Sequence, residues 1–456
     1  MAVSDRMSAQ ELRAAISLSG IFGLRMLGMF VILPVFAIHA ESLQGGDNLT
    51  LVGIAIGVYG LTQACLQVPF GWWSDRYGRK PVIYAGLAIF AAGSFIAAIG
   101  VHIWVVILGR MLQGAGAISA AVMAMVADLT RDEHRAKAMA MIGSTIGATF
   151  AASLVFSPWL NRAIGVPGIF VMTGVMVLAA IWVVHALVPD VPDEPRPAGA
   201  RGLPQFAAVL RDPQLTRLDY GVFALHAVLM ALFIAVPLEL RAAGLPVDQH
   251  WQVYLPVMAG SFLLMLPAVL GTARPGHLKA AFIGSIALLL ASQAALPWLT
   301  GGAWLMAALL LAFFTAFNAL EAHLPTLVSR IAPGAARGTA IGVFASIQFF
   351  GAFFGAAAGG FLYGGWGTPG VVILNVVLIV IWLVVAAGTR VPAPRSLRAY
   401  ALPALDRGAA EALLARLREQ PGVHEARVAG SERRAYLTVD SAMFDEQNVL
   451  NLIAGQ

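Results

Sequence analysis

The sequence predicts an all-α membrane protein, twelve transmembrane helices in two six-helix bundles, followed by a small soluble α+β domain. Three observations predict it. First, the 456 residues are 59% hydrophobic and only 12% charged, with a mean hydropathy of +0.79. An ordinary soluble domain carries about 25% charged residues, so much of this chain's surface must face lipid. Second, apolar stretches of membrane-crossing length recur until about residue 390. Third, loop sequences in the first half return in the second at a nearly constant offset.

A membrane helix needs roughly 20 apolar residues. Twelve stretches qualify: 15–40, 50–73, 81–101, 103–128, 137–160 and 167–188, then 216–241, 250–271, 278–298, 302–328, 338–363 and 367–388. Between the sixth and seventh lies "PDVPDEPRPAGARGLPQFAAVLRDPQ", rich in Pro and Arg, which reads as a linker. The expected domains are therefore a first bundle over 1–190, a cytoplasmic linker over 191–215, a second bundle over 216–390 and a soluble domain over 398–456.

Lys and Arg crowd the loops after spans two, four, six, eight and ten, from Arg76 and Lys80 to Arg274, Arg330 and Arg337. The opposite loops hold only Arg162 and Arg241. Positive charge stays on the cytoplasmic side, so both termini are expected there. The net charge of +5 is scattered along the chain rather than massed, and nucleic acid is not an expected partner. The single Cys65 allows neither an intrachain disulfide nor a cysteine metal cluster. The start shows no cleavable signal pattern, so the first span is expected to act as an uncleaved anchor.

The repeat is visible in two loops. "VADLTRDEHRAKAMAMIG" from Val126 aligns with "VSRIAPGAARGTAIGVFA" from Val328, setting Arg135 on Arg337. Gly71 falls on Gly271 and Arg79 on Lys279, while Pro275 stands where Asp75 would. Two related six-helix halves imply two bundles around a central path.

The first of these loops is the most charged stretch between spans: "GWWSDRYGRKP", residues 71–81. Arg76 and Lys80 satisfy the rule that keeps positive charge inside, and that is a complete explanation of both. Asp75 is not covered by it. Pro81 suits the first turn of span three, and Gly71 and Gly78 allow close approach or a turn. The stretch resembles the loop signature between the second and third helices of the major facilitator superfamily, with every charged and glycine position filled. "VVILGRMLQGAGAI" in span four resembles a second pattern of that family, through Arg110, Gln113, Gly114 and Gly116. "LRMLGMFVILPVF" and "FNALEAHLPTLVSRIAPGAARGTAIGVFASIQFFG" are similar to its YajR-type inner-membrane transporters.

The resemblance implies a drug/proton antiporter-like carrier working by alternating access. It also implies a conformational latch: Asp75 meeting the helix N-terminus near Thr339, and Arg79 pairing with Asp128. Gly71, Asp75, Arg76, Gly78, Arg79, Lys80, Asp128 and Thr339 are its expected members. Two departures bear on drug export. "GSTIGATFAASLVFSP" in span five lacks the family's Gly-Pro antiporter pair, and span one lacks an acidic residue.

Ionisable groups inside spans are costly and count as functional candidates. Here they are Arg25, Arg110 one turn from Gln113, His226, and Glu321 with Asn318 three residues before it. A carboxyl in low dielectric can exchange protons near neutral pH, so Glu321 reads equally as proton carrier or as a brace between helices. His226 reads as a second titrating group or as a satisfied buried histidine. Arg110 reads as a structural group, and Arg25 has Glu321 as a possible counter-charge. Gly143, Gly147 and Ala151, and Gly351, Gly355 and Gly359, lie four apart and permit close helix crossing.

From Arg398 the composition turns soluble. "DRGAAEALLARLREQ" sets Leu413, Leu414 and Leu417 on one face. "GVHEARVAG" and "RRAYLTVD" alternate around "GSER", a hairpin pattern. With a first strand near 398–402 and a last helix in "DEQNVLNLIAG", the order is β-α-β-β-α. It resembles the ferredoxin-like fold of small heavy-metal-associated domains, but "ALPALDRG" lacks their cysteines, so no metal is expected. Regulatory lid and inert tail both remain open for it.

Neither a nucleotide-binding loop nor a catalytic triad is legible, so neither an enzyme nor a cofactor is expected. The leading expectation is a monomeric, multi-pass carrier of the bacterial inner membrane that exports a small solute in exchange for protons. A non-transporting sensor on the same scaffold and a proton-coupled importer are the alternatives.

Overall fold

The computed structural model describes residues 7–190, 203–271, 277–296, 302–333, 336–390, 395–403, 407–429, 434–440 and 444–454. Ten helices among them are long and apolar enough to cross a membrane. Two of the ten are 51 residues long in their apolar parts, and one non-helical glycine divides each. Gly165 takes φ 67° and Gly367 takes φ 62°, values open to a residue without Cβ. Pro167 and Pro369 follow, where a helix restarts and a missing N–H costs nothing. Divided at these glycines, the ten helices give the expected twelve spans.

The first unit holds Met1–Val269 and Phe282–Thr389, which is both bundles apart from Leu270–Ala281. Span one is Ala9–Phe30 with Leu33–His39, opened by a capping box between Ser8 and Glu11. Span two is Leu49–Tyr77, capped by Asn48. Span three is Arg79–Ala98, and span four is Ile103–Ala115 with Ser119–Asp128, interrupted at Gly116. Asp132–Leu187 supplies spans five and six. Spans seven to ten are Pro213–Ala242, Trp251–Leu270, His277–Ala294 and Ala303–Ile331, and Arg337–Ala387 supplies eleven and twelve.

Several expectations are corrected. The charged stretch 71–81 is not a loop: helix two runs on through Tyr77, and the turn is Gly78 alone, at φ 92°. No residue from Trp72 to Tyr77 breaks a helix, so the chain stays helical until the first residue that tolerates positive φ. The linker holds a helix of its own, Leu203–Arg211, and Asp212 caps span seven with its carboxylate on the Gln214 and Leu215 amides. Residues 191–202, residues 272–276 with Arg274 and Pro275, and "GSER" at 430–433 lie outside the described residues.

The two glycine rows part company. A Cβ on Gly351, Gly355 or Gly359 would strike the backbone of Phe223, Ala227 or Ala231, so spans eleven and seven do cross at backbone distance. Around Gly143 and Gly147 such a Cβ meets nothing within 4 Å. Small residues permit close approach without enforcing it. Beside that row lies a cavity lined by Leu27, Ser144, Thr145, Ala148, Thr149 and Ala152.

The second unit includes Arg390–Gln456. Its strands are β1 (Arg395–Ala401), β2 (Val423–Ala429) and β3 (Arg434–Asp440), with helices Arg407–Arg418 and Glu446–Ala454 in the expected β-α-β-β-α order. The sheet order is β1-β3-β2, antiparallel throughout, with Tyr400 opposite Ala435 and Ala426 opposite Leu437. Alternation sends Ala435, Leu437 and Val439 inward against Leu413, Leu417 and Val449, and these six side chains are fully buried.

Candidate functional site

Three arrangements of polar side chains sit in the bundles. The first lies at the end crowded with basic residues, called here the basic end. Gly78 turns the chain so that Arg79, at the start of span three, points back at span two. Arg79 Nε donates to Asp128 Oδ2 at 2.9 Å, and Nη1 donates to Ser74 Oγ at 2.8 Å and to Asp75. Arg79 is buried, while the Asp75 side chain is 52% exposed. Thr339 is half-buried and its side chain makes no hydrogen bond among the described residues. Asp75 thus pairs within its own bundle. Lys80 Nζ reaches Asp190 at 2.7 Å, which holds that carboxyl below the usual range. Arg76 stacks on Trp72 and Tyr77 at 5.6 and 5.7 Å. A Cβ on Gly71 would come within 3.3 Å of Ala120 in span four.

The second arrangement is the arginine core of the first bundle. Arg25 is 1% exposed and donates to the Gly116 carbonyl at 3.0 Å, to Ser119 Oγ at 2.9 Å and to Gln63. Gln63 in turn donates to Gln67 at 3.0 Å and to Ser119 at 3.2 Å. Arg110, wholly buried, donates to Gln113 at 2.8 Å and to the Gly28 carbonyl at 3.0 Å. Gln113 passes the chain on to Ser94 at 2.8 Å. Both guanidiniums lie over the Tyr59 ring, at 5.6 and 5.0 Å. Neutral amides, hydroxyls and carbonyls solvate both charges. The pairing of Arg25 with Glu321 is therefore corrected: Arg25's partners all lie in its own bundle.

The third arrangement is in the second bundle, where spans seven, ten and eleven meet. His226 Nδ1 lies 3.1 Å from the Val222 carbonyl, one turn back on its own helix. Its Nε2 lies 2.7 Å from Gln348 Nε2 and 3.5 Å from Glu321 Oε1. With the amide nitrogen turned to the ring, Nε2 accepts and Nδ1–H donates, the arrangement of a neutral imidazole; with the amide turned over, its oxygen accepts from a protonated Nε2 instead. The Glu321 side chain is 35% exposed. Phe317 packs its ring edge-on to His226 at 5.9 Å, and Phe150 of span five lies 6.0 Å from Phe317. Asn318 points elsewhere, donating to Ser261 at 3.1 Å, and His323 faces the Ala268 carbonyl at 3.3 Å. Gln348 was missed in the sequence, although a lone amide in "ASIQFFGAFFG" is the kind of polar residue that a membrane span rarely carries without reason.

At the end opposite the basic one, the two bundles are sealed to each other. Span two lies along span eleven: a Cβ on Gly60 would fall 2.6 Å from the Phe349 carbonyl oxygen, and one on Gly57 2.9 Å from that of Phe353. Gly53 stands equally close to Ala356, and Gly360 to Leu49. Two ion pairs cross the same end. Arg241 donates to both Glu41 oxygens at 2.8 and 2.6 Å, and Arg162 meets Asp248 at 3.2 Å.

Twelve spans and the Arg79–Asp128 junction invite comparison with known proteins. The family model described as Major Facilitator Superfamily matches residues 18–355, and that described as YajR YAM domain matches 399–453. The chain belongs to the major facilitator superfamily. It is 41% identical to the inner membrane transport protein YajR of Escherichia coli over 441 residues, 96% of both chains. A class D tetracycline resistance protein of Salmonella ordonez is 33% identical over 141 residues, 30% of this chain and 35% of that one. Among solved structures, a bacterial homologue of the human lysosomal transporter Spinster, in an inward-facing and unoccupied conformation, matches with a TM-score of 0.68 at 15% identity. That match covers 84% of this chain and 96% of the other, and it carries the fold alone. The protein is thus a multi-pass inner-membrane transporter of the major facilitator type, with a YAM domain at its end.

Proposed function

We propose that this transporter exports a small solute across the inner membrane in exchange for protons, by alternating access between the two bundles. The observation that carries the reading is the Glu321–His226 pair, 3.5 Å apart inside the second bundle, with the Glu321 side chain about a third exposed. A carboxyl and an imidazole in contact offer a proton two resting places. Arg25 and Arg110, solvated by neutral groups, act as fixed positive charges that favour release of the proton on approach.

The basic end is assigned to the cytoplasm by its Lys and Arg, and both termini with it. With the opposite seam closed, the structure is then read as the inward-facing state. In this state Asp75 rests on Arg79. When the cytoplasmic ends of the bundles close, Asp75 is expected to swing to the N-terminus of span eleven near Thr339, where the helix dipole favours a carboxylate. Arg79, clamped by Asp128, keeps the turn rigid, and Arg76, Lys80, Gly71 and Gly78 shape it.

The test uses purified protein in vesicles loaded with a pH-sensitive dye, challenged with lipophilic cations and neutral drugs, with Glu321→Gln in parallel. Solute-triggered proton movement lost in the variant is the expected result. Solute movement without protons in the unmodified protein would overturn the coupling.

A further inference from the structure

Gln348 stands where the proton pair meets the bundle seam. On one side, its amide nitrogen lies 2.7 Å from His226 Nε2, the same ring atom that faces Glu321 at 3.5 Å. On the other, the next residue in the chain is Phe349, whose carbonyl oxygen a Cβ on Gly60 of span two would meet at 2.6 Å. From there Phe353, Ala356 and Gly360 carry the seam along span eleven to the far end.

We propose that Gln348 is the coupling residue of the cycle: it positions His226 beside Glu321 and, through span eleven, ties the proton state of that pair to closure of the seam with span two. The proposal rests on the proton-coupled reading above and names the residue that links protons to shape.

The chemistry suits an amide. A neutral imidazole offers Nε2 as acceptor, and the Gln348 NH2 donates to it. Once Nε2 gains a proton it becomes a donor, and half a turn of the amide presents Oε1 to accept it. Gln348 can therefore hold the ring in either protonation state, whereas a purely apolar side chain could hold neither. Glu321 is the charged group facing His226 from span ten. Span eleven presents the neutral Gln348, and Asp219 lies on the same face of span seven two turns nearer its N-terminus. Hydrogen bonds to a charged partner are about twice as strong as neutral ones. Deleting the amide therefore takes more from the imidazolium than from the imidazole, and should lower the proton affinity of the pair about tenfold. A carboxylate in its place favours the imidazolium and should raise it.

The readout needs no substrate. In a Cys65→Ser background, spin labels on Asp47→Cys and Ala242→Cys report the separation of the bundles at the sealed end, with both positions exposed. The full-length protein in vesicles is titrated with pH. A shift between short and long separations is expected, with a midpoint about one pH unit lower in Gln348→Met and higher in Gln348→Glu. Unchanged midpoints in both variants would make Gln348 a packing residue and overturn the assignment alone. A separation that ignores pH in the unmodified Gln348 protein would overturn the proton-coupled reading and the assignment with it. Should Gln348→Met fail to fold, Gln348→Glu decides by the same midpoint.

Discussion

Adding one methyl at the seam should change which way the transporter faces. Gly60 is the sharpest place to do it. In Gly60→Ala the new Cβ falls 2.6 Å from the Phe349 carbonyl oxygen. That oxygen belongs to helix backbone, so no rotamer change can move it aside. Ordinary contact needs about 3.4 Å or more, so spans two and eleven must part by about 0.8 Å locally. Overpacking of this kind costs typically about 1–3 kcal/mol. In the state where the seam is open the methyl touches nothing across it. The gain in helix propensity, about 0.5–1 kcal/mol for Ala over Gly, is present in both states and cancels. The sealed state should therefore lose about fivefold to 150-fold in relative population. The Asp47–Ala242 spin-label pair reads this as growth of the long-distance fraction. Gly143→Ala is the control, because its Cβ meets nothing within 4 Å. A Gly60→Ala protein with the unmodified distance distribution would refute the claim that this seam holds the observed state.

Three further outcomes follow from the same geometry. Asp75→Asn should leave the sealed state almost untouched, since its partner Arg79 keeps Asp128, but should deplete the state open at the seam and slow transport in vesicles. Arg241→Ala removes a bidentate pair between side chains 42% and 48% exposed. It should favour the open seam by about 0.2–1 kcal/mol, a shift that high salt reproduces in the unmodified protein by screening the pair. Leu437→Ala empties the centre of the YAM core and should cost about 2–5 kcal/mol. Hydrogen exchange on the full-length protein should rise in β1 to β3 and stay unchanged in the spans.

The spans and the tail were legible because each rests on a local signal: length of apolar run for the one, alternation for the other. Arg79–Asp128 was legible through a family pattern, since 49 residues separate the partners and spacing alone could not join them. Where local rules allowed two outcomes, the sequence misled. Gly351 and Gly143 begin identical four-residue spacings, yet one row faces a helix and the glycines of the other meet nothing within 4 Å. Arg25 was matched with Glu321 as a counter-charge from another span, but Gln63, Ser119 and the Gly116 carbonyl at the break in span four solvate it instead. That break in span four leaves no mark in hydropathy. Gln348 escaped because its meaning lies in the rotation of span eleven, which apolar composition does not fix.

The central claim is that protonation of the Glu321–His226 pair drives the cycle. It is tested most directly by a pH jump on vesicles adsorbed to a solid-supported membrane, with the charge displacement recorded as a transient current. The account predicts a current in the unmodified protein and in Asp75→Asn, and its loss in Glu321→Gln. An undiminished current in Glu321→Gln would place the proton elsewhere and contradict the account.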